Sequence, residues 1–236
     1  MSLLAVWSPK GGSGTSVIAA ACALHAARTV GPARLVDLCG DQPAILGLGA
    51  DPETGVADWL AIGPTAPTDA LERLCVEIVP GLSLLAHGRM TGDDATPIAA
   101  ESGAALAVAL RDGPFTIVDV GVPSSPVARA VLEVADATVL VMHECYVALR
   151  RAVRNPMTAR ASGLVIVQEP GRSLGPSDVA NVLSRPVIAR VPTRDAISRA
   201  VDAGTLPARL PEPLVRAATH ILRDLGLSGD RREVAA

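Results

Sequence analysis

Short apolar runs alternate with longer stretches of helical period along nearly the whole chain. Leu3 to Trp7 precedes a helical segment at 15–29, Arg34 to Leu38 forms a second run, and Leu82 to Ala86 precedes 97–111. The same rhythm carries Phe115 to Val120 into 126–134, Thr138 to Met142 into 146–155, Leu164 to Gln168 into 177–184, and Pro186 to Val191 into 194–203. A last helical stretch covers 212–225. The short runs are built from Val, Ile and Leu without polar alternation, the pattern of strands covered on both faces. The pattern predicts a three-layer α/β fold, with a mostly parallel sheet of about seven or eight strands between two layers of helices. Pro- and Gly-rich stretches at 40–55, 62–68, 87–97 and 169–176 read as loops. Residues 1–228 read as a single domain and 229–236 as a flexible tail.

Composition changes this picture at one point. The chain is 49% apolar with a formal charge of −3, which does not suggest a surface given over wholly to nucleic acid. Of its 21 Lys+Arg, Lys10 is the one lysine. Arginine is the default cation here, so a lysine at position 10 asks for a specific reason. The cysteines Cys22, Cys39, Cys75 and Cys145 have neither CxxC nor tight spacing and read as reduced thiols. No run reaches the ~18 apolar residues of a spanning helix, so a soluble, cytoplasmic protein is expected.

Lys10 lies in Ser8-Pro9-Lys10-Gly11-Gly12-Ser13-Gly14-Thr15-Ser16, between the first strand and the first helix. In a strand–glycine loop–helix context, successive backbone N–H groups can turn inward onto one anion, reinforced by the helix N-terminus. Ser16, in the first helical turn, carries a hydroxyl suited to Mg²⁺. A tight turn capped by Ser13 or Thr15 would need glycine for its dihedrals, yet it explains neither three glycines nor the lysine.

This segment resembles the deviant Walker A motif of the ParA/MinD family, and Arg190-Val191-Pro192 followed by Asp195-Ala196-Ile197 and Arg199 to Gly204 resembles its last strand and helix, closest to the CpaE/TadZ-like branch. Lys10, Gly11, Gly12, Gly14 and Ser16 match; Thr15 stands where the family has a second lysine. The resemblance implies a P-loop NTPase fold that binds ATP or ADP with Mg²⁺, held by Lys10, Gly11, Gly12, Ser13, Gly14, Thr15 and Ser16. It also implies a homodimer in which the first lysine reaches the partner's nucleotide. Thr15 supplies no charge, so hydrolysis is expected to be weak or absent.

Asp37 and Asp41, after the second strand, resemble the family's Asp-x-Asp, which orients the attacking water; Cys39 occupies the second aspartate's position, and loop capping is the competing reading for both. Phe115 to Val120 with Asp119 resembles the Walker B strand, giving Ser16 and Asp119 as the Mg²⁺ pair. Val167 falls where the family places an asparagine that reads adenine, while Arg190-Val191-Pro192 resembles its last strand and adds Pro192 to the nucleotide set. The resemblance implies a switch that positions or regulates a larger assembly for division, pilus formation or segregation, through a protein partner that the sequence does not name. The competing reading is a pseudo-ATPase scaffold that keeps fold and dimer but does not use nucleotide. Arg150, Arg151, Arg154 and Arg160 could offer non-specific DNA a surface, but a solvated helix face is preferred. The apolar stripe Leu214, Val215, Ala218, Ile221, Leu222 and Leu225 is assigned to internal packing rather than to a membrane surface. His25, His87, His143 and His220 receive no chemical role.

Overall fold

The computed structural model describes residues 3–88 and 100–227. Residues 97–99 of the expected 97–111 helix and the expected tail lie outside the described residues. Eight strands form one sheet in the order β3-β4-β2-β5-β1-β6-β7-β8. They are β1 (Leu3–Trp7), β2 (Ala33–Asp37), β3 (Val76–Val79), β4 (Leu82–Leu85), β5 (Phe115–Gly121), β6 (Ala137–His143), β7 (Gly163–Gln168) and β8 (Val187–Pro192). Every neighbouring pair is parallel except β3 with β4.

The central strand β1 shows why its sequence lacks polar alternation. Leu4 and Val6 join one apolar cluster, and Leu3, Ala5 and Trp7 join the other on the opposite face. A strand buried on both sides has no position at which a polar side chain could meet water. Helix α1 (Thr15–Thr29) is equally enclosed, with Ala19 to Leu24 and Ala26 essentially without exposed surface. Its small side chains let it lie between the sheet and α10 (Glu212–Asp224), whose Leu214, Ala217, Ala218, Ile221 and Leu222 are buried in the same cluster. The stripe on the last helix is therefore spent on internal packing, as its sequence indicated. Among the described residues no helix is long and apolar enough to cross a membrane.

The other face is covered by α5 (Ala100–Arg111), α6 (Pro126–Val134), α7 (Tyr146–Arg154) and α8 (Pro176–Leu183). Three short helices were not legible as such: α2 (Gln42–Ile45) inside a stretch read as loop, α3 (Val56–Ile62) and α4 (Asp69–Arg73). Helix α9 (Asp195–Asp202) follows β8. All four cysteines are free.

Candidate phosphate and cation site

The carboxyl ends of β1, β2, β5 and β6 converge where the connection from β1 runs to β2 on one side and that from β5 runs to β6 on the other, the crevice in which open parallel sheets bind ligands. The loop from β1 to α1 turns through two left-handed glycines, Gly12 (φ 74°) and Gly14 (φ 78°), dihedrals that a side chain would strain. Ser8 Oγ and Ser13 Oγ both donate to Lys10 O, at 2.6 and 2.7 Å, fixing the loop from within. Among the described residues, the N–H groups of Gly11, Gly12 and Gly14 meet no acceptor. An anion is the natural complement of such a set at a helix N-terminus.

A cavity of about 350 Å³ opens on these groups, lined by the loop from Gly11 to Val17 together with Cys39, Asp41 and Gly121. Thr15 is almost fully buried in its wall and brings a hydroxyl where a lysine would bring charge. Lys10 Nζ instead donates to Gly11 O of its own loop at 3.2 Å.

The expected cation pair is brought together. Asp119 is buried, and the hydroxyl of Ser16 and the amide of Gln42 both act to hold its carboxyl down. Burial outweighs them and pushes the Asp119 carboxyl up to about 6, with nearby Asp37 adding to the rise. Asp37 is likewise raised by burial, although its carboxylate accepts from the N–H groups of Cys39 (2.9 Å), Gly40 (2.8 Å) and Gln42 (3.0 Å). Its oxygens thus cap the turn after β2. Asp41, which is exposed, lies nearer the loop: Ser16 Oγ is 3.5 Å from its Oδ2.

Two contacts had no sequence signal. Gln42 Nε2 donates to Asp119 Oδ2 at 2.8 Å and to Ser16 O at 3.0 Å. His143 Nε2 lies 3.1 Å from Gly12 O, with Nδ1 3.4 Å from Glu169 Oε1, so the end of β6 braces the loop. Only chain separations of 77 and 131 residues, closed by the sheet, make these pairs neighbours.

Beside the loop, a second cleft of about 270 Å³ is lined by Gly12, Gly14, Val17, Val167, Pro192 and Ile197 among others. Pro192 therefore stands next to the glycine loop, and Val167 gives the cleft an apolar wall. The Gln168 amide turns instead towards Glu144 Oε1, 3.5 Å away.

No protein-family model matches the sequence, and no curated protein matches it either. Solved structures do match. A ParA family ATPase from Chlorobium tepidum TLS is 23% identical, with TM-score 0.78 over 93% of this chain and 98% of that one. The septum site-determining protein MinD from Pyrococcus horikoshii OT3, complexed with Mg-ADP, is 16% identical, with TM-score 0.78 over 95% of each chain. The ATP complex of a Cyanothece McdA point variant is 14% identical, with TM-score 0.74 over 97% of each chain. The α/β sheet, its strand order and the loop at the end of β1 make this the fold of the ParA/MinD ATPases.

Proposed function

We propose that the chain is a nucleotide-dependent switch that dimerises and positions or regulates a cellular assembly, in the manner of ParA/MinD proteins and closest to the CpaE/TadZ-like branch. The observation that carries this reading is the unsatisfied N–H set of Gly11, Gly12 and Gly14, facing a cavity walled by Ser16 and adjoining Asp119. In this reading the backbone from Gly11 to Ser16, Ser13 included, holds the phosphates of ATP or ADP with the Thr15 hydroxyl. Pro192 and Val167 flank the base. Ser16 and Asp119 would hold Mg²⁺, which supplies charge neutralisation between the phosphates.

Lys10 is the cation left for phosphate. Its contact with Gly11 O is exposed, so little energy holds it there, and it is free to swing to its own nucleotide or to that of a second copy. With Thr15 uncharged, γ-phosphate activation lacks a standard contributor and turnover is slow or absent. Asp41, exposed and 3.5 Å from Ser16 Oγ, supports the reading as the carboxylate that influences water near the phosphate, while the buried Asp37 accepts from three backbone donors.

Calorimetric titration with Mg-ATP and Mg-ADP tests the reading, together with Lys10→Ala and Thr15→Lys. Binding in the micromolar range, a nucleotide-dependent dimer lost in Lys10→Ala, and hydrolysis gained in Thr15→Lys are expected. Absence of binding, with a dimer indifferent to nucleotide, would instead establish the scaffold reading that the uncharged Thr15 favours.

A further inference from the structure

Asp37 and Asp119 are paired in register on the neighbouring parallel strands β2 and β5, and neither has exposed surface. Two carboxylates taken out of water side by side ordinarily require a counter-charge. Among the described residues no Lys or Arg bonds either one. Their partners are neutral: backbone N–H groups, the amide of Gln42 and, on Asp119, the Ser16 hydroxyl and the Cys39 thiol, with a small positive influence from His87 on Asp37. Cys39 completes the group: one ligand atom from each of Asp37, Cys39 and Asp119 lies within 4.8 Å of the others. Cys39 also borders the solvent-connected cavity beside the glycine loop, which provides an entry path.

A separate observation points to the same place. Gln42 has no exposed surface, its Nε2 rests on Asp119 Oδ2, and its Oε1 is buried with no partner. Half a turn about its last torsion would exchange the two atoms, give up the donations to Asp119 Oδ2 and Ser16 O, and bring a carbonyl oxygen against the carboxylate. That arrangement repels unless a cation stands between the two oxygens.

We propose that Asp37, Cys39 and Asp119 form a site for a thiophilic divalent cation such as Zn²⁺ or Co²⁺, independent of nucleotide, with the Gln42 carbonyl available as the fourth ligand. A thiolate with two carboxylates suits a small borderline-soft ion with tetrahedral preference, whereas Mg²⁺ favours six oxygens. Without the ion, burial and then the charges of Asp119 and Asp37 hold the Cys39 thiol in its protonated form. The incoming ion reverses the effect of those same carboxylates, and the thiol proton leaves to solvent through the open cavity. The site does not depend on the proposed switch function, since it needs no phosphate.

The test uses the full, tag-free chain, stripped with a chelator and titrated with Co²⁺ in the absence of nucleotide. One equivalent should bind with a thiolate-to-cobalt charge-transfer absorption, displaced by Zn²⁺. Cys39→Ser should abolish that absorption and weaken Co²⁺ by about tenfold or more, while Cys75→Ser and Cys145→Ser leave it in place. No binding, binding without the thiolate band, or a band that survives Cys39→Ser overturns the proposal. Mg-ADP calorimetry on the same samples is read separately, so loss of the cobalt site and loss of nucleotide binding are distinguishable results.

Discussion

Gln42 Nε2 lies 2.8 Å from Asp119 Oδ2 and 3.0 Å from Ser16 O, so a single buried amide ties the end of β5 to the first turn of α1. Asp119 Oδ2 sits away from water, and a side chain of similar volume without donors would take this partner from it. Gln42→Leu should therefore lower stability by about 1–3 kcal/mol, the usual cost of leaving buried polar groups unpaired. Urea unfolding measures it; a change within error would mean that the amide is replaceable by water. The same variant should weaken Mg-nucleotide, because Ser16 and Asp119 lose their common tether.

Gly47 and Gly204 meet backbone to backbone. A Cβ on Gly47 would stand 2.2 Å from Gly204 O, and one on Gly204 would stand 2.5 Å from Gly47 Cα, with both residues at positive φ. This contact pins the segment after α2 to the end of α9, holding the region that carries Asp41 and Gln42. Gly47→Ala must displace backbone and should cost about 2–4 kcal/mol. Gly226, just past α10, provides the comparison: its φ is also positive, at 68°, but nothing lies within 4 Å of an added Cβ, so Gly226→Ala should cost only about 1 kcal/mol. Equal midpoint shifts for the two variants in chemical denaturation would refute the steric argument.

The layers of the fold were legible because burial imposes composition. Strands such as β1, enclosed on both faces, are held to apolar residues. Strand β6 departs from this only at Thr138, whose hydroxyl donates to Arg160 O, and at its end, His143, and the helices between the strands keep their period. Strand β3 escaped because it is a four-residue edge strand, Val-Glu-Ile-Val, whose first two residues are exposed and whose pairing is antiparallel. The short helices α2, α3 and α4 lie among prolines and glycines, where local signals favour turns. At the site, the glycine loop, Ser16 and Asp119 could be read because their chemistry is local to one motif. Asp37 also carried its capping role in its position, two, three and five residues before the N–H groups it accepts from. Gln42 and His143 acquire meaning only when the sheet brings distant ends together, which no spacing encodes.

His143 braces the glycine loop from outside the motif through its 3.1 Å contact with Gly12 O. Gly12 is exposed, so the loss of this contact should loosen the loop without unsettling either core. His143→Ala is expected to weaken Mg-ADP by about fivefold, equivalent to about 1 kcal/mol, while moving the unfolding midpoint little. Calorimetry paired with thermal unfolding separates the two effects. An unchanged affinity would show that the loop holds its shape through Ser8 and Ser13 alone.

His25 offers a test of the packing between α1 and α10. Its Nε2 lies 3.1 Å from Thr219 Oγ1, and the Thr219 hydroxyl already donates to Val215 O at 2.8 Å, so the imidazole must be the donor. Burial, and secondarily the charge of Arg28, holds His25 below its ordinary value of 6.5 in the folded chain. Above that value the ring is neutral in both states and contributes nothing to the pH dependence. As pH falls through it, the unfolded chain takes up the proton first, and stability drops until the folded-state value is passed. Wild type should therefore lose more stability between about pH 7.5 and 5.5 than His25→Gln, which keeps a donor for Thr219 but cannot titrate. Urea unfolding of both proteins at the two pH values gives the answer: parallel losses would assign the acid sensitivity to groups other than His25.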